Sequence, residues 1–194
     1  MRIAFALIAT LILSVTSRSA ENGGGMDPKA MEALLAKMQP GKEHEELKKL
    51  EGKYDVAAKM WMDPSQPAQE SKGTAEFTMV MNGRYLKQDF KGEMMGKPYN
   101  GVGFEGFDKV ANKFVSMWMD DVGTQPMMMY GESKDGGKTV EFEGEHKCPM
   151  TGQQVKMRAI HKQVDADKFI FEMYHAYPGQ KEFKGMELTY TRKK

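Results

Sequence analysis

Four histidines, a single cysteine and nineteen methionines are the residues in this chain with the most chemistry to offer. Cys148 has His146 two positions before it, but a Cys–His nucleophile needs a third group to orient the imidazole, and the sequence shows none nearby. Asp120 and Asp121 could act as an acid–base pair or hold a cation. Adjacent residues on a strand point to opposite faces, so they read more simply as turn residues. The constellation of an enzyme is therefore thin. Thioethers are soft ligands for Cu(I), and Met60/Met62, Met79/Met81, Met117/Met119 and Met127/Met129 each share a strand face. The same alternation arises in any buried strand, where Met fills irregular space. An inward histidine could instead ligate haem iron, and His175 is the candidate, against the plainer reading of a hydrogen-bonded core residue. His161 and His175 stand roughly 13 Å apart along the sheet and cannot share one ion. His44 reads as a surface or cap residue. Haem and copper stay open as alternative cofactors.

These side chains must be positioned by strands. Beyond Gly52 the chain falls into segments with period-two alternation, separated by turn residues at nearly even intervals. The predicted strands are 53–62, 69–81, 84–93, 98–107, 113–121, 124–133, 138–147, 154–164, 168–176 and 182–192. Asn82-Gly83 is the strongest turn signal, because both central residues of a type I′ turn need positive φ. Short links force antiparallel neighbours. Ten strands with no helical crossover predict an all-β, closed, antiparallel up-and-down barrel, since closure hides the edges. Two short helices precede it. Asp27 caps and Pro28 starts the first, with Met31, Leu34, Leu35 and Met38 at helical spacing until Pro40-Gly41. The second covers Glu43 to Leu50.

Turn lengths extend this reading to register. Across Asn82-Gly83, Met81 faces Arg84, Met79 faces Leu86, Phe77 faces Gln88 and Ala75 faces Phe90. With Pro149–Gly152 as a four-residue loop, His146 faces Val155, Gly144 Met157, Phe142 Ala159 and Val140 His161. With Asp165–Asp167 as the next turn, Met157 faces His175, Ala159 Met173 and His161 Phe171. The resulting interior is apolar with isolated polar groups, which suits a pocket for a small hydrophobic molecule. Its predicted wall is Phe77, Met79, Leu86, Phe90, Met157, Phe171 and Met173, with Gln88 and His175 as polar anchors. A barrel filled by its own side chains would instead be a structural or interaction module.

Arg2, the apolar run over residues 3–13 and the small, polar stretch to Ala20 have the form of a signal peptide. The run is too short for a permanent span, which needs roughly 20 apolar residues. The sequence thus predicts export to the periplasm or beyond, a spacer over 21–26, one domain over 27–194 and no stable membrane insertion. Losing Arg2 and Arg18 leaves 26 basic residues against 27 acidic, moving the net charge from +1 to −1. With near balance and no basic run, nucleic acid is a poor partner. One cysteine allows no internal disulfide.

Several ordered motifs resemble one uncharacterised bacterial family. They include Gly52-Lys53-Tyr54, Gly83-Arg84-Tyr85-Leu86, Gly92-Glu93-Met94-Met95-Gly96, Trp118-Met119-Asp120, Pro149-Met150-Thr151-Gly152 and Met186-Glu187-Leu188-Thr189-Tyr190-Thr191-Arg192. The family is the domain of unknown function numbered fifteen-seventy-nine, placed in the calycin, or lipocalin-like, superfamily, and the resemblance spans roughly residues 26–194. It implies a calycin-like barrel and no particular activity. It also implies closure of one barrel end by Tyr54, where the family usually has Trp, beneath Arg192. Cys148 stands where the family has an acidic residue.

Overall fold

The computed structural model describes residues 27–194. The expected signal peptide and spacer lie outside these residues. Of the described residues, those from Asp27 to Ala36 fall in one unit and Lys37–Lys194 form a second. Helix α1 (Pro28–Lys37) begins where Asp27 and Pro28 place it, and the Asp27 carbonyl accepts the first helical bond from Met31 N–H at 2.9 Å.

In the second unit a short helix, α2 (Lys42–Lys48), leads into ten strands. They are β1 (Gly52–Met60), β2 (Gln69–Val80), β3 (Tyr85–Met94), β4 (Lys97–Asp108), β5 (Lys113–Asp120), β6 (Met127–Glu132), β7 (Thr139–Lys147), β8 (Gln154–Gln163), β9 (Lys168–Ala176) and β10 (Phe183–Arg192). Each strand pairs antiparallel with its sequence neighbour, and β1 closes the ring against β10. This is the predicted up-and-down barrel. Tyr54 stands opposite Arg192 across the closing seam, and Met60 opposite Met186.

The expected pairings Met79–Leu86, Phe77–Gln88 and Ala75–Phe90 are present, as are those across β7–β8 and β8–β9. One turn differs from expectation. Strand pairing stops at Val80–Tyr85, and Met81, Asn82 and Gly83 all take positive φ. Met81 is therefore an exposed turn residue, not a partner of Arg84. A four-residue loop has the same parity as a two-residue one, so the register beyond it is unchanged. β6 starts at Met127 and not at 124, because Pro126 has no N–H to give the ladder.

The end of the barrel where β1 starts is closed by α2. Leu47 and Leu50 join the core beside Tyr54, Phe114 and Val140. His44 caps this helix, its Nδ1 accepting the Gly41 N–H at 3.0 Å; it is buried, and so is not a surface residue. The Arg192 guanidinium lies 4.9 Å from the Tyr54 ring centre. It donates to the carbonyl oxygens of Glu51 and Lys49, while the Tyr54 hydroxyl donates to the Leu50 carbonyl at 3.0 Å. The closure of one barrel end by Tyr54 and Arg192 is thus present, with Tyr as the platform. Stacking of this kind contributes about 1 kcal/mol, and the hydrogen bonds tie the last strand to the chain just before the first. Gly52, at φ 137°, leaves room for the guanidinium.

Candidate functional site: the barrel cavity

The inward faces enclose a cavity of about 270 Å³. A dry cavity of about 150 Å³ suffices to hold benzene, so this one has room for a larger molecule. Of the expected wall, Phe77, Leu86, Phe90, Phe171 and Met173 border the cavity, together with Gln88 and His175. Met79 and Met157 do not. Met79 packs against the core from outside it, its N–H bound by Glu51 Oε1 at 2.7 Å. Met157 is sealed in the wall at 2 % exposure.

The cavity exists because glycines let large rings lie back against the sheet. On β4, a Cβ at Gly101 would fall inside the Trp118 indole, and one at Gly103 would stand 3.0 Å from it. Gly73 and Gly92 flank the Phe90 ring in the same way, each too close for a side chain. In β10 the register slips between Lys184 and Met186. This bulge puts Gly185 under the His175 imidazole, where a Cβ would collide with it.

Polar side chains beyond the two expected anchors line the interior. Toward the α2 end, Glu105 stands opposite Ser116, and its Oε2 lies 3.6 Å from His161 Nδ1. Gln88 Nε2 donates to the Tyr190 hydroxyl at 3.0 Å, and burial holds that phenol firmly protonated. At the far end, Asp120 is no simple turn residue. Its Oδ2 accepts from Tyr99 Oη at 3.1 Å and from Trp118 Nε1 at 3.2 Å, while its Oδ1 accepts the N–H groups of Val122 and Gly123. Asp121 points away and binds Asn100. Exposed Glu93 also borders the cavity, which therefore reaches solvent at this end.

His175 Nδ1 and His146 Nε2 are buried without a hydrogen-bond partner, with ring centres 6.3 Å apart. Burial lowers the pKa of both below 6.5, and for His175 the nearby His146 adds to the effect. Above pH 6.5 both are neutral, folded or unfolded. As pH falls through 6.5 the unfolded chain binds protons first, so stability is lost progressively down to the depressed folded values. The thermal midpoint should therefore drop on acidification from pH 7 to 5, and His175→Leu should drop less over that range. Parallel midpoint curves for the two proteins would refute this.

Among the described residues no three His, Cys, Asp or Glu side chains converge on a metal position. Methionines stand both on the cavity wall and in the turns. Met60, Met127, Met129, Met173 and Met186 border the cavity, whereas Met62, Met81, Met95 and Met150 are exposed.

The model of a family described as a protein of unknown function (DUF1579) matches residues 39–192. No curated protein matches the chain. Among solved structures, the chain is similar to Rv2717c from M. tuberculosis, at 14% identity and a TM-score of 0.55, covering 80% of this chain and 100% of that one. It is also similar to the S-type phycobiliprotein lyase CPES from Guillardia theta, at 9% identity and a TM-score of 0.52, covering 83% and 97%. At these identities the likeness concerns the fold.

Proposed function

Since the chain belongs to the DUF1579 family of proteins of unknown function, a membership that brings no activity with it, we propose from the barrel itself that this is an exported carrier of a small hydrophobic ligand. The observation that carries the reading is the cavity of about 270 Å³ within a closed barrel. Protein interiors otherwise pack without voids much larger than a water molecule. Its wall combines fixed aromatic rings with flexible thioethers. The rings shape one side, and Met127, Met129, Met173 and Met186 can repack around ligands of different outline. Burying the apolar surface of a medium-sized ligand supplies several kcal/mol at roughly 25 cal/mol per Å², part of which goes to ordering costs.

Titration with a neutral, environment-sensitive apolar fluorophore tests this. Saturable binding at one site is expected, with energy transfer from Trp118, whose indole borders the cavity. Absence of saturable binding across a panel of such probes would leave the barrel a structural module. Export rests on the charge and apolar pattern of residues 1–20. Protein isolated from its source should begin near Ala20 and be found outside the cytoplasm. An intact Met1 on the cytoplasmic form would count against that part of the proposal.

A further inference from the structure

The charged side chains on the cavity wall are of one sign. Glu93, Glu105 and Asp120 border the space, and among the described residues no lysine or arginine does. Resting on the carrier reading above, we propose that the ligand is an amphipathic organic cation, an apolar body bearing an ammonium group, and that Glu105 is its counter-ion.

The three carboxylates are not equivalent. Asp120 is already saturated by four donors, from Tyr99, Trp118, Val122 and Gly123, so its work is to fix the indole and phenol at the far end of the cavity. Glu93 is exposed, and water screens it. Glu105 sits in the interior with its side chain only 18% exposed, and among the described residues its ion-pair partner is His161, at 3.6 Å. Hydrogen bonds in the barrel pass it by: Gln88 turns its amide to Tyr190. A carboxylate inside a protein normally collects several donors, and one left short of them in a cavity is a ready site for an ammonium group. The route to it is lined with π faces. Phe90 packs edge-on against Tyr99 and Trp118, with ring centres 5.9 and 6.2 Å apart, and aromatic faces attract cations as well as apolar surface. His175, which borders the same cavity, leaves its Nδ1 without a partner. A fatty acid would bring its carboxylate into a space holding only negative charge, where like charges repel at reduced dielectric.

The test compares three ligands of one chain length, decyltrimethylammonium, decanol and decanoate, by displacement of the neutral fluorophore below their micelle concentrations. The cation should bind at least about tenfold more tightly than the carboxylate, with the alcohol between them. Glu105→Gln should bring the cation close to the alcohol while leaving the alcohol unchanged. Equal binding of all three, or tightest binding by decanoate, overturns the charge assignment while leaving the carrier reading intact. Failure of the fluorophore and all three to bind overturns both. A cation preference that survives in folded Glu105→Gln removes Glu105 as counter-ion. If that variant does not fold, the order in the wild-type protein still decides the charge preference, and weakening of only the cation by salt supports it.

Discussion

Met173→Trp should abolish binding of the neutral fluorophore while the barrel stays folded. Met173 projects from β9 onto the cavity wall, standing opposite Ala159 on one side and Met186 on the other. An indole on that site has empty volume to enter, so the bulk goes into the cavity and not into packed neighbours. A loss of at least about tenfold in affinity, equivalent to roughly 1.4 kcal/mol, is expected. Met157→Trp provides the contrast. That side chain is two residues further along the hairpin face, opposite Gly144 and His175; it is walled in at 2 % exposure and does not border the cavity. There the extra atoms overpack the sheet, at a cost of about 1–3 kcal/mol in stability. The pair separates occlusion from distortion. If Met173→Trp still binds the probe as the wild type does, the probe does not sit in this cavity.

A second large effect is expected at Gly101. A Cβ there would overlap the Trp118 ring, so Gly101→Val must drive the indole off the β4 backbone and into the barrel. The move breaks the Trp118 Nε1 bonds to Tyr99 and Asp120 as well as the packing against Phe90. Stability should fall by about 1–3 kcal/mol, measured by urea unfolding, and probe binding should fall with it. Adding Trp118→Ala should restore much of the stability lost to Gly101→Val, because the clash needs both partners. A double-variant loss equal to the sum of the single losses would show that the two residues are uncoupled and that the ring does not lie where described.

Why the strands were legible and part of the site was not can be traced to β4. Most strand limits follow from alternation and turn residues, and loop parity fixes the register of three hairpins, even where the Asn82-Gly83 turn takes four residues and not two. On β4 the alternation misleads. The stretch Gly101-Val102-Gly103-Phe104-Glu105 sets apolar side chains on one parity, but the inward parity is that of Gly101, Gly103 and Glu105, paired with Asp120, Trp118 and Ser116. Glycine has no side chain to signal burial, and a carboxylate signals the reverse. The inward aromatic of this region comes from the next strand, so alternation marks neither Glu105 nor Tyr99 as lining, and it leaves Asp120 a turn residue and Trp118 only part of a motif. A Gly-x-Gly facing a Trp across a hairpin is the signal that would have found them. At β10 the bulge shifts parity between Lys184 and Met186, a slip that only the lone Gly185 hints at. Met157 is a different case: its face was read correctly, but a face does not reveal whether a side chain borders a void or fills one.

The closing seam has a consequence for how the chain comes into being. Delivered from its amino end, the polypeptide releases β1 first and the strand that must lie beside it last; the guanidinium that ties down the Glu51 carbonyl arrives 141 residues later. Every earlier hairpin can zip onto its predecessor as it emerges. The growing product is then a curled sheet with two raw margins, β1 and the newest strand, each able to recruit a stranger's backbone. Completion joins those margins to each other. Because the entropy of closing a loop grows only slowly with its length, the final step is limited less by distance than by survival of both margins, unpaired, until residue 192 arrives. Loss of β10 (Phe183–Arg192) would therefore produce not a slightly weaker barrel but an open one, with unpaired margins on both sides.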